Sequence, residues 1–168
     1  MGLAVTCVCL SLLSGGAQAA DATAQQQFIA AAFAGELPEA KTLWLNAAIK
    51  ADVKKILRHD YLGLRVRYWQ KNTKTVWVLE EIGKYKPITL GVAINAGAIE
   101  SLKVLEYRES HGWEVKHDFF TQQFIGARLP KHNKLDRRID GISGATLSVR
   151  ALKKLARLAL YFDSHVQN

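Results

Sequence analysis

Cysteine is nearly absent. The chain holds two, Cys7 and Cys9, both inside one short apolar run at the front. A disulfide framework, a Cys-based zinc site, an iron–sulfur cluster and a Cys-x-x-Cys-His haem attachment are therefore excluded beyond that run. Redox chemistry, if present, needs a cofactor held in another way. Long apolar runs are missing too: after residue 20 no stretch approaches the roughly 20 residues that span a bilayer. Acidic residues are in deficit, 15 against 23 Lys and Arg, so the net charge is +8. Such a surface favours acidic partners. With only 3 prolines and 12 glycines in 168 residues, nothing reads as fibrous or low-complexity, and 49% hydrophobic content suits one globular domain with a real core.

The front of the chain has its own grammar. Leu3 to Leu13 is apolar but too short to cross a membrane, and no Lys or Arg precedes it. Small residues follow, with Ala17-Gln18-Ala19 matching a small-x-small cleavage site. Residues 1–19 are thus expected to be a signal peptide, cleaved near Ala19. The mature protein would then be periplasmic or otherwise extracytoplasmic, free of cysteine and without an integral membrane span.

Residues 21–58 are predicted helical: QQQFIAAAFAG up to Gly35, then a second helix from near Pro38 with Leu43, Ala47, Ala51 and Ile56 as its apolar stripe. From Tyr61 the texture becomes strand-like. LGLRVRYWQ and TVWVLEEIG flank KNTK as one hairpin, with Leu64, Val66 and Tyr68 on one face. Pro87 opens a second hairpin, ITLGVAIN to AIESLKVLEYRES, turning at Asn95-Ala96-Gly97. The fold class expected is α+β: an antiparallel sheet of about four strands in two hairpins, covered by helices. DFFTQQFIG reads as a short helix with Phe119, Phe120 and Phe124 turned inward, and ARLPKHNKLDRRID as a surface loop. The chain divides into residues 20–79, N-terminal helices and first hairpin, and residues 80–168, joined in one compact unit.

The final run LSVRALKKLARLALYF is an amphipathic helix with Val149, Leu152, Leu155 or Ala156, Ala159 and Phe162 as its core stripe. Before it stands DGISGAT, Asp140 to Thr146. Ser143 is a good N-cap, with Gly144, Ala145 and Thr146 in the first turn. Unpaired backbone N–H groups and the positive end of the helix dipole make that position a seat for phosphate. The dipole contributes only about 0.3–1 kcal/mol at an exposed site, enough to orient a phosphate and too little to hold a cofactor alone.

Asp140-Gly-Ile-Ser143-Gly144-Ala145-Thr146 resembles the Asp-x-x-(Ser/Thr)-Gly-Ala-(Thr/Ser) signature of the FMN-binding domain family. That family includes the FMN-carrying subunits of sodium-pumping NADH:quinone reductases and of Rnf-type complexes. The resemblance extends over about residues 80–160, through ITLGVAINAGAIESLKVLEY, the loop Glu109-Ser110-His111-Gly112 and the aromatic short helix. It implies FMN joined to Thr146 by a phosphoester bond, installed from FAD by a magnesium-dependent flavin transferase that reads Asp140, Ser143, Gly144 and Ala145. Glu109, Ser110, His111, Gly112 and Trp113 are the second candidate site: either the loop borders the flavin, with Trp113 stacking on the ring, or it is an ordinary strand-to-helix connection with Trp113 in the core. An electron carrier working with a membrane-bound or soluble redox partner is the leading reading. A small flavin reductase and a ligand-free interaction module stay open beside it.

The remaining candidates carry less. The five histidines, His59, His111, His117, His132 and His165, show no metal-ligand spacing, and no triad or carboxylate pair stands at catalytic spacing. Lys50, Lys54, Lys55, Arg58, Arg65, Arg67, Lys71 and Lys74 form a basic region. No nucleic-acid module accompanies it, so it is assigned either to an acidic redox partner or to a solvated surface.

Overall fold

The computed structural model describes residues 16–130 and 133–167. The apolar run Leu3–Leu13, and with it most of the expected signal peptide, lies outside the described residues. Five strands form one antiparallel meander in the order β1-β2-β3-β4-β5: β1 Ala40–Trp44, β2 Arg65–Lys71, β3 Lys74–Ile82, β4 Pro87–Asn95 and β5 Ala98–Tyr107. Helices α2, Ala47–Leu57, and α4, Thr146–Val166, cover one face, while α1, Gly16–Ala32, lies on the other. Between β5 and α4 run a 3₁₀ turn at Trp113–Lys116, the one-turn helix α3 at Asp118–Thr121, a second 3₁₀ turn at Gln122–Phe124, and the polar loop.

The class is α+β as expected, with one strand more. Residues 40–44 are extended rather than helical, and they pair with β2 from Ala40↔Trp69 to Trp44↔Arg65. Helix α2 begins only after Asn46, whose side chain accepts the Ile49 N–H at 2.9 Å. Its buried stripe is Ile49, Val53, Ile56 and Leu57; of the predicted Leu43, Ala47, Ala51 and Ile56, only Ile56 belongs to it. Both alanines are exposed, and Leu43 sits on the strand.

Strand β4 is buried along nearly its whole length because helices cover it on both sides. That is why ITLGVAIN reads as a continuous apolar run rather than an alternation. On the α4 side Trp77 is fully buried, stacked on Tyr68 at 4.8 Å and tilted against Phe162 at 5.5 Å. On the α1 side Phe28, Ile29 and Phe33 pack on Val76 and Ala93, and Phe28 lies over Gly91.

The predicted stripe of α4 is buried throughout. Phe120 and Phe124 point inward as expected. Phe119 does not: it is 64% exposed. Consecutive helical residues diverge by about 100°, so Phe119 and Phe120 cannot both face the core. Leu64 is likewise exposed, since it precedes β2, whereas Val66 and Tyr68 are buried.

Two polar clusters sit within the packing. Glu81, 4% exposed, faces His59 Nε2 at 2.9 Å and Lys154 Nζ at 2.8 Å, tying the end of α2 and the middle of α4 to β3. Asp163 accepts hydrogen bonds from Thr75 Oγ1 at 2.5 Å and Gln167 Nε2 at 3.0 Å, and the Trp77 indole N–H donates to Thr75 Oγ1.

Candidate functional site

Strand β5 ends at Tyr107, and the chain leaves it through Glu109, Ser110 and His111. The β3–β4 turn, residues 83–86, lies alongside. One oxygen of Glu109 accepts the backbone N–H groups of Lys84, Tyr85 and Lys86 at 2.5, 2.6 and 2.9 Å. Desolvation opposes ionisation of Glu109, but these three donors win and hold its carboxyl below the ordinary value. Glu109 therefore shapes the site by fixing the turn that carries Lys84 and Tyr85.

The third wall is the start of α4. Its first intrahelical bond runs from Val149 N–H to Ala145 O at 2.9 Å. Ala145 is thus the cap position, and no side chain caps the helix. The cap expected from Ser143 is not formed. Gly144 stands in the left-handed region at φ +80°, and a tight turn from Ala145 N–H to Ile142 O intervenes. That turn leaves Ser143 two residues ahead of the cap position, where it makes no capping bond to the first-turn amides. Thr146 is the first helical residue, exposed, and the N–H groups of Thr146, Leu147 and Ser148 have no helical acceptor.

These three walls enclose one cavity of about 470 Å³, lined by Lys84, Tyr85, Glu109, Ser110, His111 and residues 144–148. Its volume falls within the range of ligand clefts. Thr146 and the Glu109–His111 loop, 35 or more positions apart, are thereby brought together.

Gly112 works beneath the cavity. It is buried at φ +84°, and a Cβ there would come within 2.9 Å of Tyr107 Oη and 3.0 Å of Ala145 Cβ. The small residues at 112 and 145 let the loop and the helix start touch. Tyr107 locks that contact. Its hydroxyl donates to His111 O at 2.5 Å and lies 2.9 Å from Ser148 Oγ, which is then left to donate in return. Burial pushes the Tyr107 phenol up from its ordinary value, so it stays neutral.

Ser143, Asp140 and Trp113 stand outside the cavity lining. Asp140 lines a separate cationic groove, where Arg138 pairs with it at 3.2 Å. Trp113 is half-exposed and packs edge-on against His117 at 4.9 Å, outside the cavity lining. Lys84, Tyr85, Leu147, Ser148 and Tyr107 belong to the site without having been singled out in the sequence. Leu147 and Ser148 followed directly from the motif; the other three enter through strand pairing, which no local pattern shows.

Residues 83–161 match the family model of the FMN-binding domain. Among solved structures the fold matches NqrC of Shewanella oneidensis, with a TM-score of 0.60 over 87% of this chain and 98% of that one. At 15% sequence identity the likeness is one of fold. It reaches well before residue 83, so the early helices and strands share that architecture. No curated protein matches the sequence significantly.

The cavity fits FMN on its own chemistry. Unpaired helix-start amides and the Lys84 ammonium suit a phosphate. Tyr85 and Leu147, both exposed, offer apolar surface. The Thr146 hydroxyl opens onto the same space.

Proposed function

We propose that the protein is an extracytoplasmic electron-transfer flavoprotein whose FMN is joined through its phosphate to Thr146. The observation that carries this reading is the single cavity shared by the Thr146 hydroxyl, the free amides of the α4 start and the Glu109–His111 loop. The family match over residues 83–161 supports FMN as the cofactor. The apolar run and Ala17-Gln18-Ala19 support export.

Attachment is the work of a flavin transferase. Thr146 Oγ1 forms the bond to the FMN phosphorus of FAD, the anhydride bond breaks, AMP leaves, and the hydroxyl proton passes to a base on the transferase. Thr146 suits this role because it is exposed and bordered by Gly144 and Ala145, which leave room for a modifying enzyme. The first-turn amides and Lys84 would hold the phosphate. The Ser110–His111 loop, braced by Tyr107, would border the rest of the cofactor. Bound FMN supplies reversible electron uptake; the chain supplies position and electrostatics.

The test is intact mass after coexpression with a flavin transferase. Wild type should gain FMN less one water, and Thr146→Ala should gain nothing. An unmodified wild-type mass would sink the covalent reading. Fractionation of the producing cells, with N-terminal sequencing of the mature chain, tests export: a cytosolic chain retaining Leu3–Leu13 speaks against it.

A further inference from the structure

The cavity opens at the N-terminal end of α4, and a second feature starts beside it. Residues 146, 150, 153 and 157 fall on one stripe of a 3.6-residue helix, the last only about 20° round from the first. They are Thr146, Arg150, Lys153 and Arg157. A line of cations thus runs for about 16 Å straight from the attachment hydroxyl. It forms the floor of a groove of about 650 Å³ that Arg58, Lys134 and Arg138 complete.

The fold itself leaves this charge largely uncompensated. Asp140 answers Arg138 at the surface. Arg137 is held by Ile125 O and Asp136, and Lys154 by Glu81. The side chains of Arg58, Lys134 and Arg150 meet no carboxylate among the described residues. Among the described residues, Arg157 and Lys153 bond only to backbone carbonyls: Arg157 to Lys153, Asn133 and Ile56, and Lys153 to Ile139. Desolvation, with repulsion from Arg58, lowers the Arg157 value. Desolvation also lowers Lys153, with Arg138 and Arg157 repelling it and Asp140 partly relieving it. No acid stands in the first turn of α4, and the helix dipole adds to the same positive field. Of the basic region noted in the sequence, Arg58 lines this groove, whereas Lys54, Lys55, Lys71 and Lys74 pair with Asp60, Asp52, Glu36 and Glu100.

We infer that this groove docks an acidic protein surface, that of the redox partner exchanging electrons with the flavin. The electron-transfer purpose rests on the function proposed above; the docking does not. A shallow groove with its guanidinium and ammonium groups spread over several turns matches a row of carboxylates better than one small anion. Complementary charge of this kind chiefly raises the association rate and fixes orientation. A partner seated there lies against the helix that carries the cofactor, about one turn from it at Arg150.

The probe is a fluorescein-labelled decaglutamate peptide, followed by anisotropy at about 50 and 200 mM NaCl. The protein is the full chain, with and without FMN, together with Thr146→Ala. Lys134→Glu/Arg138→Glu/Arg150→Glu should weaken binding about tenfold. Lys50→Glu/Arg67→Glu/Lys103→Glu, with the same change in net charge outside the groove, should stay within about twofold. Equal losses in the two variants would mean net charge alone, and would overturn the proposal. So would absence of peptide binding by wild type. Displacement of the peptide by inorganic pyrophosphate at equal concentration, or binding to phosphatidylglycerol vesicles lost only in the groove variant, would reassign the groove to a small phosphate compound or a membrane. Because Thr146→Ala carries no flavin yet keeps the groove, failure of covalent attachment and failure of docking register separately.

Discussion

A methyl group is enough to test the site. Gly112 is held at φ +84° with Tyr107 Oη and Ala145 Cβ where its own Cβ would go. Gly112→Ala must strain the backbone and push the Glu109–His111 loop off the start of α4. We expect a loss of about 1–3 kcal/mol in urea unfolding and a marked drop in flavin attachment at Thr146. Unchanged stability with full attachment would show that the loop does not need this contact. Such residue-level roles were only partly readable in advance. The DGISGAT motif singled out Thr146, and the structure places that residue in the cavity lining. The same motif misled about Ser143 as the cap: whether its hydroxyl reaches a first-turn amide depends on one positive φ at Gly144. Glu109 was named as a cofactor residue, and its three amide donors come from a turn some 25 positions upstream.

Among the elements, the least expected is β1. Its burial shows no alternation, because it is an edge strand with neither side chain face deeply covered. Its strand character comes from pairing with β2, more than 20 residues away, which local propensity does not report. Starting the helix at Pro38 instead of Asn46 then displaced the predicted stripe of α2 at every position but Ile56. The strands flanking tight turns and the long final helix were read correctly, since turn chemistry and a 3.6 period declare themselves locally. The corrected start can be tested. Asn46→Ala removes the acceptor for Ile49 N–H and should cost about 1 kcal/mol, with Asn46→Asp retaining most of it. Urea midpoints for the three proteins check this; equal midpoints would contradict Asn46 as the cap.

For the molecule as a whole, stability against pH depends on a carboxylic acid that the fold does not neutralise with a cation. Burial pushes Asp163 up from 3.8, against the pull of hydrogen bonds from Thr75 and Gln167. Between 3.8 and its higher folded value the native state binds more protons than the unfolded chain. Its contribution to stability therefore falls as pH rises through that window and is spent above it. Asp163→Asn keeps an acceptor for Thr75 and Gln167 and removes the buried charge. The variant should be more stable than wild type at neutral pH, by about 1 kcal/mol, with the gap closing as pH falls towards 4. Thermal melts across pH 4–7 decide it. A variant less stable than wild type at pH 7 would mean that the ionised form is favoured by something other than these two donors.

The path of α1 across the sheet has a bearing on how the protein can be held. Its C-terminal end sits by the β2–β3 turn, where Lys71 pairs with Glu36 and Lys74 reaches Ala32 O. Earlier in the helix, Gln25 shares a groove with Glu80 and Thr89, towards the opposite end of the strands. That is the end where the β3–β4 turn and Thr146 lie, although on the far side of the sheet. The chain therefore comes into the domain at the same pole as the cofactor seat. Any tether in front of α1, whether a fusion partner or a linker to an electrode, turns the flavin pole towards its attachment surface and leaves the β2–β3 and β4–β5 turns facing outward.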